Sequence, residues 1–166
     1  MKTEPYKIHL KYLILLLIIY LLQSSVFPHL KILGVKPLLL PLFAVGVGLF
    51  RGGLAGGCWG LVAGLLCDIS LGGTGLLFTV FLTACGFFTG FLSQFVLAKG
   101  FPSYFVISLS VLMIAAFIQM FGLLAYYGAD PLILILTGLK QTLYSLILTV
   151  PIYLWIRRAS QQRSKV

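Results

Sequence analysis

The chain has 166 residues, of which 60% are hydrophobic and only 9% are charged. A soluble domain carries about 25% charged residues, so this composition excludes a water-soluble protein and predicts an all-α integral membrane protein. The net charge of +9 comes from basic residues at the ends of apolar segments. That distribution favours contact with anionic lipid headgroups and argues against nucleic acid as a partner.

Six apolar segments follow one another, and they predict about six transmembrane helices in a single multi-pass domain, 1–166. The predicted spans are 8–27, 37–50, 52–67, 74–98, 102–127 and 131–156. The first is expected to remain uncleaved, because no A-x-A-like cleavage site follows it. Thr74 is the predicted N-cap of the fourth segment, and Pro131 suits the first turn of the sixth.

The segments 37–50 and 52–67 are shorter than the ~20 residues that a full crossing needs. Pro41 further disturbs the first of the two. They either cross the membrane with Lys36 and Arg51 snorkelling towards its surfaces, which we favour, or form a buried re-entrant hairpin. Both arrangements leave the two ends of the chain on the same side.

The basic residues set the expected orientation. With the N-terminus in the cytoplasm, nine of the twelve Lys and Arg residues are cytoplasmic: Lys2, Lys7, Lys11, Arg51, Lys99, Arg157, Arg158, Arg163 and Lys165. Lys31, Lys36, Asp68 and Asp130 then lie outside. Both termini are therefore predicted to be cytoplasmic, with Trp155 in the inner aromatic belt.

A ladder of glycines runs through the third segment. Gly52, Gly56, Gly60 and Gly64 recur every four residues, and Asp68 takes the next step. Glycine is a poor helix former, so such a stripe predicts close approach of another helix. We favour packing against the chain's own helices, and the alternative is a docking groove for a partner's helix.

The fourth segment carries a weaker stripe of small and polar residues, which predicts further internal packing. Its members are Thr79, Thr83, Gly86, Gly90 and Ser93. The bulkier residues of this segment are expected to meet lipid: Phe78, Phe81, Phe88, Phe91 and Phe95.

Four residues form a predicted polar membrane site: Asp68, Lys140, Tyr144 and Gln119. Charges inside a bilayer are costly and are usually paired, so Asp68 and Lys140 are expected to approach each other near the outer surface. The alternatives are that Asp68 caps the outer loop, or that these residues bind a ligand or a partner. Gln119 is expected to make a hydrogen bond between helices.

The sequence offers little for catalysis. With three acidic residues in the whole chain, paired carboxylates are nearly excluded, and no nucleophile, phosphate-loop or metal-ligand motif occurs. Cys58, Cys67 and Cys85 lie in apolar stretches, where they are interpreted as small apolar fillers. We expect no enzyme activity, no cofactor and no metal site.

Several short motifs together resemble the rod shape-determining protein MreD family. They are Val35-Lys36-Pro37, Arg51-Gly52, the run from Gly60 to Asp68 that reads GLVAGLLCD, and Gly73-Thr74-Gly75-Leu76. The resemblance implies a bacterial cytoplasmic-membrane protein that binds MreC, and through it acts with MreB, RodA and a penicillin-binding transpeptidase. It also implies a six-helix fold shared with the vitamin-binding subunits of energy-coupling-factor transporters.

Two functions follow as expectations. The first is a non-enzymatic scaffold of the cell-elongation machinery that supports peptidoglycan synthesis and rod shape. The second is a substrate-binding transport subunit, which would need a pocket lined by residues such as Asp68, Lys140 and Tyr144. The scarcity of polar groups favours the scaffold, because a pocket that recognises a vitamin needs several placed donors and acceptors.

Overall fold

The polypeptide folds into helices that follow the predicted apolar segments. A computed structural model describes residues 5–26, 35–71, 76–95, 100–127 and 131–161. Within them the helices are α1 (Pro5–Leu21, continued by a π-helical turn, Leu22–Val26), α2 (Leu40–Arg51), α3 (Gly53–Leu71), α4 (Leu77–Phe95), α5 (Phe101–Tyr127) and α6 (Pro131–Gln161). The predicted all-α class and the six helices are confirmed.

Among the described residues, five helices are long and apolar enough to cross a membrane, namely α1 with its π-helical turn, α3, α4, α5 and α6. The chain is therefore a multi-pass membrane protein. The sixth helix, α2, has 12 residues and spans only about 18 Å at 1.5 Å per residue, against a hydrocarbon core of about 30 Å.

The short helix α2 lies at the centre of the bundle. Every residue from Leu40 to Leu49 is buried, and α2 contacts α1, α3, α4, α5 and α6. A helix that is apolar on all sides suits either lipid or the interior of a protein. Its neighbours bury it so completely that α2 has no lipid-facing side along these residues.

Two segment boundaries differ from the sequence prediction. The residues Val35–Leu39, expected to be partly helical, are not helical. Pro37 explains this, because proline lacks an N–H and restricts the residue before it. The third segment is longer than predicted: α3 has 19 residues and runs past Asp68 to Leu71.

The ends of α4 and α6 test the predicted helix starts. The predicted N-cap Thr74 lies outside the described residues, and α4 begins three residues later, at Leu77. The sixth helix does begin at Pro131, as expected from the tolerance of the first helical turn for proline.

The main contacts divide the bundle into two antiparallel pairs, α3 with α4 and α5 with α6, with α2 between them and α1 against α6 and α2. The expectation that the phenylalanines of α4 face lipid is right for Phe88, Phe91 and Phe95, which are exposed. It is wrong for Phe78, which is fully buried in the core, and Phe81 is half-buried and packs against the same core.

Candidate functional site

The glycine ladder of α3 lies against the backbone of α4. A Cβ atom added at Gly60 would lie 3.0 Å from the carbonyl carbon of Leu82, and one at Gly64 would lie 2.8 Å from the carbonyl oxygen of Phe78. Contacts this close to backbone leave no room for a side chain at either position. The structure thus uses these two rungs to bring α3 and α4 together, as small-residue stripes do in membrane helix pairs.

Three helices meet through glycine at one point. A Cβ atom at Gly56 of α3 would lie 2.6 Å from Cα of Gly48 of α2, and one at Gly48 would lie 2.5 Å from the carbonyl oxygen of Gly86 of α4. Gly48 lies outside the ladder that was predicted from the sequence. Its position, four residues before Gly52, extends the four-residue ladder backwards and was the available signal.

Gly52 does not form a rung of the helix. It connects α2 to α3 with φ of +93°, a left-handed conformation that favours glycine. Its carbonyl group nevertheless faces α4, because a Cβ atom at Gly90 would lie 2.6 Å from the Gly52 oxygen. The predicted ladder therefore combines a turn residue, Gly52, with three helical residues that pack on α4.

Asp68 completes the α3–α4 contact at the end of the ladder. Its Oδ1 accepts a hydrogen bond from the backbone N–H of Phe78 at 3.2 Å, and its Oδ2 accepts from the backbone N–H and the hydroxyl of Thr79, at 2.8 and 2.6 Å. Phe78 and Thr79 lie in the first turn of α4, where backbone N–H groups have no partner within their own helix. The carboxylate of Asp68 thus caps α4, whereas the alternative drawn from the sequence was a cap of the outer loop.

The predicted partner of Asp68 lies on a different helix. Lys140 is exposed on α6, and α6 has its main contacts with α5, α2 and α1, whereas α3 has its main contacts with α4 and α2. No ion pair within 4.0 Å joins Asp68 to Lys140 in the described part of the chain. The pairing stays a prediction, and it has no support in these contacts.

The two other residues of the predicted polar site lie apart from Asp68. Tyr144 lies one turn beyond Lys140 on α6, where it is half-buried against the main core cluster. Gln119 is half-buried on α5, and no hydrogen bond of its amide is found within the described ranges. The amides that do bond between elements are Gln23 and Gln141, which the sequence analysis did not select.

These two glutamines, with Ser145, hold the non-helical segment Val35–Leu39. Gln23 Oε1 accepts hydrogen bonds from the backbone N–H groups of Leu39 and Leu40, at 2.9 and 3.1 Å. Ser145 Oγ accepts from the N–H of Leu38 at 2.9 Å, and Gln141 Nε2 donates to the carbonyl oxygen of Lys36 at 2.9 Å. Gln23, Gln141 and Ser145 are all buried, and together they form one polar site.

Non-helical backbone at membrane depth is tolerated where protein groups satisfy its N–H and C=O. Here two helices bond to the segment: α1 through Gln23 in its π-helical turn, and α6 through Gln141 and Ser145. A third helix, α5, bonds to the first turn of α2 itself, since the Tyr104 hydroxyl donates to the carbonyl oxygen of Leu42 at 2.9 Å. The arrangement fixes where α2 begins. The sequence signals only the break itself, through Pro37 and Pro41.

Aromatic rings and cations also lie beside α2, from Phe43 in its first turn to Arg51 at its end. Trp59 of α3 contacts the rings of Tyr12 and Phe43, with centroids 6.0 and 6.1 Å apart, and the guanidinium of Arg51 lies 5.9 Å from the Tyr12 centroid. On the other side, the guanidinium of Arg157 lies 6.0 Å from the ring of Tyr153. Such cation–π contacts stabilise basic residues at a membrane surface.

The described residues contain no cluster of three or more His, Cys, Asp or Glu side chains that could hold a metal ion. Cys67 is buried in the core and Cys58 is exposed. No protein-family model, no curated protein and no solved structure matches this chain.

Proposed function

We propose that this chain is a scaffold of the MreD type, without enzymatic activity. It would act in the bacterial cytoplasmic membrane, bind the membrane span of MreC, and support peptidoglycan synthesis and rod cell shape. MreB, RodA and a penicillin-binding transpeptidase would be indirect partners. The sequence motifs from Val35 to Leu76 are the ground for naming this family.

The buried polar groups favour a scaffold over a substrate-binding role, because they form hydrogen bonds within the chain itself. The amides of Gln23 and Gln141 and the hydroxyl of Ser145 bond to the chain's own backbone, and Asp68 caps the chain's own helix. A site that recognises a small polar molecule needs such groups to point at the ligand. Groups that already serve the fold would leave the backbone unsatisfied if a ligand took them.

A partner would have to meet the outer faces of the bundle. The glycines of α3 and α4 that permit close helix approach already pack against the other helix of the pair, and α2 is enclosed by the rest of the bundle. The exposed surface is apolar on several helices, with Leu17 on α1, Phe88 on α4, Phe117 on α5 and Ile147 on α6. In a membrane such faces contact either lipid or another transmembrane helix. How closely the side chains pack determines which of the two contacts is favoured.

Site-specific cross-linking tests the proposal. A photoreactive residue at Leu17, Phe88, Phe117 or Ile147 should cross-link MreC at one contiguous face and not at the others. The same residue at Leu42, which is fully buried, is the control and should give no cross-link. If MreC neither cross-links at any exposed position nor copurifies, and if removing the chain leaves rod shape unchanged, the proposal is wrong.

One observation favours a second candidate, the substrate-binding subunit of a vitamin-type transporter. A buried non-helical segment that leads into a short central helix is a feature of many transporter binding sites, and Val35–Leu39 with α2 has this form. Copurification of an ATPase module, or of a bound small molecule released on denaturation, would favour this candidate. A single-span partner without either would favour the scaffold.

A further inference from the structure

A shallow groove of about 250 Å³ lies between α1 and α6. It is lined by Lys11, Ile14, Leu15, Ile18, Trp155, Arg158 and Ala159. Lys11 is the chain neighbour of Tyr12, whose ring faces Arg51, so the groove opens at the basic end of the bundle. That end is the predicted cytoplasmic side.

The charges and the apolar lining occupy different ends of the groove. On α1, Ile18 lies seven residues beyond Lys11, which is about 10 Å deeper at 1.5 Å per residue. Arg158 is the second cation, and Trp155 adds an amphipathic ring of the kind that lies at headgroup level. The groove therefore offers positive charge near the surface and an apolar channel below it.

The dimensions limit what can occupy this groove. The groove has a volume of about 250 Å³. Pockets for whole drug-sized ligands have volumes of about 300–1,000 Å³. A single extended hydrocarbon chain, attached to a headgroup that stays at the surface, fits both the size and the polarity.

We infer that the α1–α6 groove is a binding site for an anionic phospholipid of the cytoplasmic leaflet. One acyl chain lies along Ile14, Leu15 and Ile18, and the headgroup phosphate contacts Lys11 and Arg158. Two cations favour a lipid with net negative charge over a zwitterionic one, since each basic residue near the surface adds attraction for anionic lipid. This inference does not depend on the proposed scaffold function.

The chain supplies a matched control for the charge. Arg157 adjoins Arg158 in sequence, but its guanidinium lies over the ring of Tyr153, and it does not line the groove. Neutralising either arginine changes the net charge by the same amount. A difference between the two variants therefore reports the groove and not the general attraction of a basic surface.

The test is native mass spectrometry of the purified full chain after equilibration with equimolar phosphatidylglycerol and phosphatidylcholine. The wild type should retain one phosphatidylglycerol in preference to phosphatidylcholine. Lys11→Gln and Arg158→Gln should each lower that preference about fivefold, the effect of one basic residue near the surface. Lys11→Arg keeps the positive charge and should keep the preference for phosphatidylglycerol. Arg157→Gln should change that preference by less than about twofold.

Equal retention of the two lipids by the wild type would overturn the inference, as would an equal loss of preference in Arg157→Gln and Arg158→Gln. Size-exclusion profiles of the variants separate these results from misfolding. A photoreactive residue at Ile18 gives a second readout in native membranes. Cross-links to phospholipid support the site, and cross-links to a protein instead would assign the groove to a partner and overturn it.

Discussion

Thr79 donates both its backbone N–H and its hydroxyl to the same carboxylate oxygen of Asp68, at 2.8 and 2.6 Å. The two residues belong to consecutive helices, since Asp68 lies in the last turn of α3 and Thr79 in the first turn of α4. A negative charge is unfavourable at the C-terminal end of its own helix but favourable at the N-terminal end of the next. The hydrogen bonds across the hairpin therefore offset the poor position of Asp68 within α3.

The start of α2 is capped in the same way from the helix before it. Gln23, in the π-helical turn that ends the first span, accepts from the N–H groups of Leu39 and Leu40. Both caps lie on the predicted outer side, and both satisfy N–H groups that the helix itself leaves without partners. In lipid no water is available to accept hydrogen bonds from these N–H groups, so each cap holds two helices together.

Asp68→Ala should lower the free energy of unfolding by about 0.5–2 kcal/mol, the usual cost of a lost cap. Asp68→Asn should lose less, because its one remaining oxygen can still accept from Thr79 while the bond from Phe78 is lost. The measurement is unfolding of the purified chain in mixed micelles with increasing denaturing detergent. Equal stability of Asp68→Ala and the wild type would show that the cap does not stabilise the hairpin.

Gln23→Leu should destabilise the chain far more than Gln119→Leu. The first change leaves two buried N–H groups without an acceptor, at about 1–3 kcal/mol each, whereas Gln119 has no hydrogen bond within the described ranges and its loss should cost less than about 0.5 kcal/mol. Both replacements remove one amide from a span, so hydrophobicity is matched. The amount of monodisperse protein on size-exclusion chromatography reports the difference, and similar yields for both variants would contradict the role of Gln23.

The sequence predicted the helices, apart from the start of α2 and the end of α3, and the internal contact surface of α3, but not the polar contacts. The ladder from Gly56 to Gly64 was visible because a repeat every four residues identifies one helix face without further information. For Asp68 the sequence suggested a cap of the outer loop, and its partners at the start of α4 depend on how closely α3 and α4 approach.

The hydrogen bonds that hold Val35–Leu39 were not predicted, for a different reason. The side chains and the segment they hold are far apart in the sequence, since Ser145 lies 107 residues from Leu38 and Gln141 lies 105 residues from Lys36. No local pattern relates them. Gln23 and Gln141, and not Gln119, make these bonds because they lie beside the buried non-helical segment. Its position depends on how α1, α2 and α6 pack together.

The C-terminus should be cytoplasmic, like the N-terminus, because of the distribution of basic residues between the ends of the spans. A reporter that is active only in the cytoplasm, fused after Val166, should be active, and a reporter active only outside should be silent. A fusion within the segment between α5 and α6 should give the opposite pattern. Activity of the outside reporter at Val166 would contradict the predicted orientation.

Gly60→Ala and Gly57→Ala add the same methyl group to α3, three residues apart, and should have opposite consequences. At Gly60 the added Cβ would lie 3.0 Å from the Leu82 carbonyl carbon, so α4 would have to move away, whereas at Gly57 it would lie 3.5 Å from Cβ of Phe87, an ordinary contact.

Gly60→Ala should therefore cost about 1–3 kcal/mol through overpacking, and Gly60→Leu should prevent recovery of folded protein. Gly57→Ala should be neutral or stabilising by up to about 1 kcal/mol, since alanine is the better helix former. Leu65→Ile, at an exposed position of α3, should be mild.

Expression of each variant alone, without any partner, decides whether the ladder serves the chain's own fold. If Gly60→Leu accumulates normally but no longer copurifies MreC, the ladder is a partner surface and its packing against α4 does not limit stability. A loss of folded protein in Gly60→Leu expressed alone, with Gly57→Ala unaffected, is the result that internal packing of α3 on α4 requires.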